Sequence, residues 1–190
     1  MNTKRSYTMG ARAQAVEETR SRIILALFEL SGVRMFPDIS LEDVAVTAGV
    51  SVQTVLRHFG SRDALIDATM DYSINRVTQE RAAPVGDVDA AMRVLLDHYE
   101  LRGNTALLML AQETADPQIA AITQRGRLMH RTWVEDVFAP YAAEADGLVD
   151  LLVVATDVYA WKLLRHDRGH SRSQTEQLMK KLVQAVLAGR

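Results

Sequence analysis

Residues 40–65 read SLEDVAVTAGVSVQTVLRHFGSRDAL, and this stretch decides the fold of the N-terminal part of the chain. Ser40 stands three residues before Asp43, and a serine followed at this spacing by an acid caps the first turn of a helix. Gly49 ends that short helix, and Ser51 caps the next one. Two short helices joined by a tight turn with a glycine are typical of a helix-turn-helix.

The second of these helices has two chemically different sides when its residues are placed at intervals of 100°. The apolar side is predicted to pack on the two preceding helices and consists of Val52, Val55, Leu56 and Phe59. The opposite side consists of Gln53, Thr54, Arg57 and His58. Hydrogen-bonding groups and a cation, with no acid among them, can contact base edges and phosphates. The same pattern also fits a small three-helix core whose third helix is merely polar on its outer side.

Length and composition limit the classes of protein that the chain can belong to. With 190 residues, 48% of them hydrophobic, it is long enough for one core or for a small domain attached to a larger one. The absence of cysteine excludes disulfides, thiolate metal sites and cysteine nucleophiles. The first 14 residues lack the apolar segment of a signal peptide, and the longest apolar run, Ile23–Phe28, is far shorter than the about 20 residues of a membrane helix. We expect a soluble, cytoplasmic protein.

Charge is distributed unevenly along the chain. Residues 1–62 contain eight Lys or Arg and six acids, a net charge of +2, whereas the remaining residues contain 14 and 18, a net charge of −4. A basic N-terminal third on an acidic body indicates an anionic partner for that end. Lys4, Arg5 and Arg12 form an N-terminal arm that can lie in a minor groove or along phosphates. Without DNA, the alternative is a solvated terminus.

Apolar residues recur at spacings of three and four along nearly the whole chain, without sustained alternation, which predicts an all-α fold. Prolines and glycines mark most of the breaks between helices. The predicted helices, about nine in number, are 16–30, 41–48, 52–59, 62–81, 87–102, 104–114, 117–138, 145–168 and 173–188.

Residues 40–65 resemble the DNA-binding signature of TetR-family transcriptional regulators. Residues 157–176, DVYAWKLLRHDRGHSRSQTE, are similar to the penultimate-helix region of many members of that family. The resemblance implies a helix-turn-helix DNA-binding domain at 1–65 and a helical ligand-binding and dimerisation domain at 66–190. The residues that carry the N-terminal resemblance are Leu41, Val44, Ala45, 48–51, Thr54, His58, Phe59, Ser61, Arg62, Ala64 and Leu65.

The resemblance also implies which residues meet DNA. Arg57 and Gln53, one helical turn apart, are the candidates for reading guanine and adenine, while Arg62 is expected at a phosphate. His58 is expected to have mainly a packing role. Leu56 stands where the family usually has an aromatic residue, and we expect it in the core. The full set of expected DNA-binding residues is Ser40, Ser51, Val52, Gln53, Thr54, Arg57, His58 and Arg62.

Two further sets of residues follow for the C-terminal domain. An apolar or aromatic effector is expected near Tyr72, Met92, Leu96, Tyr99, Met109, Glu113, Met129, His130 and Trp133, most of which can equally be plain core. Helix 145–168 is apolar nearly all round, so one side is expected to face a second copy of the chain. The expected dimer interface consists of Leu151, Val154, Val158, Trp161, Leu178, Leu182 and Ala185.

The predicted function is a ligand-responsive repressor that binds a near-palindromic operator as a homodimer and is released by a small molecule. No catalytic residue, metal or cofactor is predicted. The alternative is a helical metal-binding or enzymatic protein, for which His166 and His170 have a suitable spacing but lie at a helix end. The cluster Asp97-His98-x-Glu100 would point in different directions on a helix. A helical adaptor that binds other proteins is a third class.

Overall fold

The computed structural model describes residues 3–142 and 147–189, with side chains for 13–141 and 147–189. No strand occurs in these two ranges, so the predicted all-α fold is confirmed. None of the helices in the described ranges is long and apolar enough to cross a membrane. The elements are α1 (Thr3–Ser31), a 3-10 turn (Phe36–Asp38), α2 (Leu41–Ala48), α3 (Val52–Phe59), α4 (Arg62–Glu80), α5 (Val88–Leu110), α6 (Pro117–Val137), α7 (Ala139–Ala142), α8 (Leu148–Thr156), α9 (Val158–Lys162) with a π-helical turn (Leu163–Asp167), and α10 (Arg172–Ala188).

The chain forms two compact units, Met1–Ser73 and Ile74–Arg190, so that α4 begins in the first and ends in the second. The functional boundary between residues 65 and 66 stays a prediction. In the N-terminal unit, α1 packs on α2, and α2 packs on α3. The core of this unit contains Ile23, Ala26, Leu27, Phe36, Ile39, Val44, Ala45, Ala48, Val55, Leu65 and Ile66.

Local hydrogen bonds form the helix-turn-helix as the sequence predicted. The Ser40 Oγ accepts from the Asp43 amide at 3.1 Å, and the Ser40 amide donates to the Asp43 carboxylate at 2.9 Å. Gly49 has a φ of +66°, a left-handed conformation that is unfavourable for any residue with a side chain. This turn lets the Val50 amide donate to the Ala45 carbonyl at 2.9 Å, and Ser51 then caps α3 by accepting from the Thr54 amide at 3.2 Å.

The C-terminal unit is built around α5, which packs on α6, α9 and α10. Its core joins residues of α5, α6, α8, α9 and α10, including Met92, Leu95, Leu96, Val134, Leu152, Trp161 and Met179. The predicted helices 87–102 and 104–114 are wrong, because α5 is continuous through Gly103. A Cβ at Gly103 would lie 2.5 Å from Trp161 Cζ3, so the glycine permits close packing of the indole and does not mark a break.

Two other predicted boundaries are also wrong. The helix predicted at 145–168 is interrupted at Asp157, whose ψ of 153° is extended and whose side chain caps α9 by accepting from the Tyr159 amide at 2.8 Å. The first helix begins at Thr3 and not near residue 16. The intervening stretch contains no proline and one glycine, so nothing in it prevents the helix from extending.

Candidate functional site

The outer side of α3 carries polar side chains that are free to bind a partner. Gln53 and Arg57 are exposed, and the structure places no hydrogen bond or ion pair on either of them within the described side chains. Because they are four residues apart on a helix, the two side chains lie on one face. Ser51 and Thr54 are engaged with each other at the start of α3, where their hydroxyl oxygens are 3.0 Å apart.

The buried side of α3 is narrower than the sequence predicted. Val55 is fully buried, and Val52 and Phe59 are half-buried, so these three residues form the packed seam. Leu56 is 41% exposed, which makes its predicted place in the core wrong. The next residue after Val55 is rotated by about 100°, and this rotation carries Leu56 away from α2 and onto the same surface as Gln53 and Arg57.

Two arginines of α1 hold the helix-turn-helix together through backbone carbonyls. Arg20 Nη1 donates to the His58 carbonyl at 3.4 Å, and its guanidinium lies 4.4 Å from the Phe59 ring centre. Arg22 Nη1 donates to the Ala48 carbonyl at 3.3 Å. Both carbonyls lie at helix C-termini, where a cation is favourable. The sequence counted these arginines only as charge, since no local pattern shows which carbonyls they reach.

Arg62, the residue expected at a phosphate, has contacts inside its own unit. Its Nη2 donates to the carbonyls of Phe36 and Ile39 at 3.2 and 3.4 Å, and its guanidinium lies 5.1 Å from the Phe36 ring centre. Arg62 therefore connects the start of α4 to the 3-10 turn before α2. Its role at a phosphate stays a prediction.

Ser40 and the N-terminal arm complete the expected DNA-binding set. The Ser40 hydroxyl contacts Asp43 at 2.6 Å. Hydrogen bonds from the Ser40 side chain and backbone, followed by one from Arg34, lower the pKa of Asp43 to about 2. The side chains of the arm, Lys4, Arg5 and Arg12, lie outside the described residues. Among the cations of this unit whose side chains are described, Arg57 alone has no partner, so the net charge of +2 over residues 1–62 overstates the number of free cations.

A second candidate site lies in the C-terminal unit, between the end of α4 and the middle of α6. We call it the effector groove; its volume is about 440 Å³, which is within the usual range for small-molecule sites. Met129 and Trp133, two of the nine residues expected at the effector, line it. The complete lining is Ile74, Val77, Thr78, Arg81, Arg125, Leu128, Met129, Thr132, Trp133 and Asp136.

The other residues expected at the effector do not line this groove. Met92, Leu96 and Tyr99 are buried in the core, and the Tyr99 hydroxyl donates to the Thr156 carbonyl at 2.8 Å. Glu113 accepts hydrogen bonds from Arg127 and Thr123, each at 2.7 Å. Met109 is half-buried in α5, and Tyr72 stands edge-on to Phe28 in the N-terminal unit, with ring centres 5.6 Å apart. Tyr72, Tyr99 and Glu113 thus have structural contacts within the chain.

The sequence contains a signal for the groove that the residue-by-residue reasoning missed. On α4 the lining residues are 74, 77, 78 and 81, and on α6 they are 125, 128, 129, 132, 133 and 136. Both sets follow the spacing of three and four residues that defines one face of a helix. Each stripe is visible in the sequence, but only the fold shows that the two stripes face each other.

Arg81 is the centre of a buried polar cluster beside the groove, formed with His130, Trp133 and Thr156. Its Nη2 lies 2.7 Å from His130 Nδ1, and its guanidinium lies 4.3 Å from the Trp133 ring centre. The Trp133 indole N–H donates to the Arg81 carbonyl at 2.8 Å, and His130 Nε2 lies 3.2 Å from the Thr156 hydroxyl. Burial, and then the positive charge of Arg81, lower the pKa of His130 to about 3, so this imidazole is neutral at pH 7.

Comparison with known proteins gives the helix-turn-helix a family. Residues 23–69, which include α2, the turn and α3, match the family model for bacterial regulatory proteins of the tetR family. Residues 23–69 therefore form a DNA-binding domain of the tetR family. This domain contains the helix-turn-helix described above.

Solved structures share the fold over most of the chain. A transcriptional regulator from Rhodococcus sp. Rha1 has a TM-score of 0.68 at 22% identity, with 90% of this chain and 96% of that chain covered. A TetR-family transcriptional regulator from Streptomyces coelicolor has a TM-score of 0.66 at 18% identity, with 90% and 79% covered. At these identities the similarity establishes the architecture alone.

The chain has an exposed apolar surface on its last helices. Leu151, Val154 and Leu182 are 57%, 66% and 44% exposed, Ala185 is exposed, and Leu178 is half-buried. Val158 and Trp161, which the sequence assigned to the dimer interface, are buried within the core of their own protomer. Trp161 contacts Gly103 and lies 5.8 Å from the Tyr99 ring centre, so it is not available to a second copy.

No group of three or more His, Asp or Glu in the described ranges of the chain is arranged to hold a metal ion. His166 packs edge-on against Trp161 with ring centres 4.8 Å apart, and the His170 carbonyl accepts from Arg165. In the acidic cluster, Asp97 pairs with Arg172, His98 contacts Glu80 and Glu100 pairs with Arg165.

Proposed function

We propose that this chain is a TetR-family repressor that binds a near-palindromic operator as a homodimer and is released by a small-molecule effector. The observation that carries the proposal is the outer face of α3, where Gln53 and Arg57 are exposed and free of partners. On the second helix of a helix-turn-helix, these are the side chains that enter the major groove.

The chemistry of the two side chains suggests how they read bases. The guanidinium of Arg57 matches the O6 and N7 acceptors of guanine, and the Gln53 amide matches N6 and N7 of adenine. Leu56 is exposed between them and can contact the methyl group of a thymine. Ser51 and Thr54 lie together at the start of α3, and we expect them to contact phosphate oxygens, which position the helix without reading sequence.

A dimer follows from the exposed apolar surface of the C-terminal unit. Leu151, Val154 and Leu182 remain exposed in a single protomer, and burying such a surface against an identical copy produces a two-fold axis. Two copies of α3 related by that axis would read half-sites in successive major grooves, about 34 Å apart. Because bacterial DNA lies in the cytoplasm, the proposal places the regulator there.

Release by an effector requires a ligand that prefers the conformation with low DNA affinity, since equal affinity for both conformations shifts nothing. The effector groove supplies a place for such a ligand. The last two turns of α4 line it, and the same helix begins in the N-terminal unit at Arg62. A ligand that moves the end of α4 therefore acts on an element shared by both units.

Arg57→Ala tests the DNA-binding surface. We expect a loss of about 1–3 kcal/mol in binding to the selected operator and a relaxed preference at one base position per half-site. The free energy of unfolding should change by less than about 0.5 kcal/mol, because the side chain is exposed and unpaired. Fragments selected from random DNA supply the operator, and fluorescence anisotropy measures the affinity.

Arg93→Ala is the matched control, since Arg93 is an exposed arginine of the C-terminal unit. It should leave operator affinity unchanged. An equal loss for operator and random DNA would make Arg57 a phosphate contact, and no loss at all would remove α3 from the interface.

Val154→Glu tests the dimer. A carboxylate at this position would be buried without a partner in a dimer but hydrated in a monomer, so we expect monomers in analytical ultracentrifugation. Leu101→Glu, at a residue of α5 that is 62% exposed, should leave the dimer intact. A dimer that persists in Val154→Glu would place the interface elsewhere.

A further inference from the structure

Arg81 is a buried cation without a carboxylate. Its side chain is 3% exposed, and no ion pair among the described residues includes it. One hydrogen bond joins its Nη2 to His130, whereas its Nε is buried with no partner in the described part of the chain. A buried charge normally requires an opposite charge and full hydrogen bonding, because burial removes its hydration.

The neighbouring acid is already neutralised by other residues. Glu80, directly before Arg81, pairs with Arg76 at 2.9 Å and with Arg102 at 3.1 Å, and His98 contacts it at 3.2 Å. Burial alone would raise the pKa of Glu80, but hydrogen bonds from Arg102 and Arg76 lower it to about 2. Its charge is therefore committed to these partners and is not available to Arg81.

The contacts that Arg81 does have stabilise the cation only in part. His130 accepts at Nδ1 as a neutral ring and provides no negative charge. The Trp133 face attracts the guanidinium, and the C-terminal end of α4 supplies a partial negative charge. Asp157 acts on Arg81 through space but forms no ion pair with it in the described structure, and its side chain caps α9. An anion from outside the chain would supply the negative charge that these contacts of Arg81 lack.

The effector groove is where such an anion can enter, because Arg81 is part of its wall. The charged residues of the lining are Arg81, Arg125 and Asp136, a net charge of +1. The remaining surface is mainly apolar, with Ile74, Val77, Leu128, Met129 and the Trp133 indole, and two threonine hydroxyls. A ligand with one negative charge on an apolar body matches both the charge and the surface.

We propose that the effector groove binds a small organic carboxylate whose carboxylate group pairs with the Arg81 guanidinium and whose apolar or aromatic body lies against Trp133 and Met129. This inference rests on the proposed function, since it specifies the class of the effector. The planar guanidinium matches a carboxylate through two parallel hydrogen bonds, and Asp136 in the lining disfavours a doubly charged phosphate ester.

The test compares acids with their neutral amides. The probes are naphthalene-1-acetate and decanoate, each paired with its primary amide, and 1-naphthyl phosphate as a different anion. Thermal unfolding monitors Tm, and isothermal titration calorimetry measures affinity for the full-length chain. At least one acid should raise the Tm and bind about 10- to 100-fold more tightly than its amide. The amide carries no charge and therefore loses the charge-assisted hydrogen bond that the acid forms with Arg81 inside the groove.

Arg81→Met shows whether this preference originates at the proposed residue. Removing a buried, uncompensated charge should leave the protein folded, with an unchanged or higher Tm in the absence of probe. The acid should then bind no better than its amide. Arg81→Lys keeps the charge but not the planar fork and should give an intermediate preference. Arg125→Met, which removes the other cation of the lining, is the matched control and should retain the preference of the wild type.

Several outcomes would overturn the inference. In the wild type, the inference fails if neither acid binds more tightly than its amide, or if 1-naphthyl phosphate binds more tightly than the carboxylates. In the variants, it fails if Arg81→Met still prefers the acid, or if only Arg125→Met loses that preference. Operator affinity is measured both without and with probe, and the value without probe does not depend on this site, so failure here leaves the role of α3 intact. A carboxylate that binds through Arg81 without weakening DNA binding would support the site and contradict release by the effector.

Discussion

The two units of the chain use their arginines in different ways. In the N-terminal unit, Arg20, Arg22 and Arg62 donate to backbone carbonyls near helix ends and turns. In the C-terminal unit, Arg102 and Arg165 pair instead with the carboxylates of Glu80 and Glu100. The further pairs of this kind are Arg76–Glu80, Arg127–Glu113, Arg131–Asp150 and Arg172–Asp97.

This difference has an electrostatic consequence. A carbonyl satisfies the hydrogen bonds of an arginine without cancelling its charge. Arg20, Arg22 and Arg62 of the N-terminal unit therefore still contribute a positive field. A carboxylate does cancel the charge, so the paired arginines of the C-terminal unit contribute much less to such a field. A unit that binds DNA benefits from the first arrangement. Arg34, which pairs with Asp43, departs from the pattern in the first unit, and Arg81 departs from it in the second.

The comparison also predicts different responses to pH, because carboxylates titrate and carbonyls do not. Glu80→Gln should have the largest effect, a loss of about 2–3 kcal/mol in the free energy of unfolding at pH 7, since it leaves Arg76 and Arg102 without their acid. The pKa of Glu80 is about 2 in the folded protein against an ordinary value of 4.5. Its stabilising contribution is therefore complete above pH 4.5 and is lost as the pH falls towards 2.

Urea unfolding of wild type and Glu80→Gln between pH 7 and pH 3 measures this trend. The difference between the two proteins should shrink over the acidic part of the range. Glu135→Gln, in an exposed pair with Arg131, should cost less than about 0.5 kcal/mol at every pH. A constant difference between wild type and Glu80→Gln down to pH 3 would contradict the ion-pair explanation.

Arg62→Ala should have the next largest effect, a loss of about 2 kcal/mol in the free energy of unfolding, because two carbonyl hydrogen bonds and the contact with Phe36 disappear. This loss should be the same at pH 7 and pH 5. The salt dependence of operator binding tests the other role, since a lost phosphate contact lowers the slope of log K against log[salt] by about 1. If Arg62→Ala were as stable as the wild type and had a reduced salt slope, Arg62 would contact DNA and would not stabilise the N-terminal unit.

Arg20→Met should have the smallest effect, about 0.5–1 kcal/mol in urea unfolding. The methionine keeps the apolar contact with Phe59 and loses only the hydrogen bond to the His58 carbonyl. Arg22→Met is the companion variant for the Ala48 carbonyl. If either change proved neutral and left operator affinity intact, these arginines would not be holding α3 in place.

Sequence patterns were sufficient wherever a structure depends on neighbours in the chain. Ser40, Gly49 and Ser51 define the helix-turn-helix because caps and left-handed turns involve groups a few residues apart. The same reasoning correctly placed Gln53 and Arg57 on the outer side of α3, since the period of a helix determines which side chains share a face.

The errors occurred where the outcome depends on which helices meet. Gly103 reads as a helix break, yet it lies inside α5 because the Trp161 indole needs its space. Val158 and Trp161 read as a dimer surface, but other helices of the same protomer cover them. The sequence predicted Leu56 in the core, but Leu56 is exposed. The buried side of α3 is narrower than the distribution of its apolar residues suggests.

By itself, the sequence determined the helical class, the helix-turn-helix and the outward polar side of α3, all of which follow from interactions within one or two helical turns. The packing of distant segments brings the end of α4 against α6, and it thereby buries Arg81 beside a groove without a carboxylate. A charged side chain is buried by contacts between segments that are distant in the chain, and no local sequence pattern shows how those segments pack.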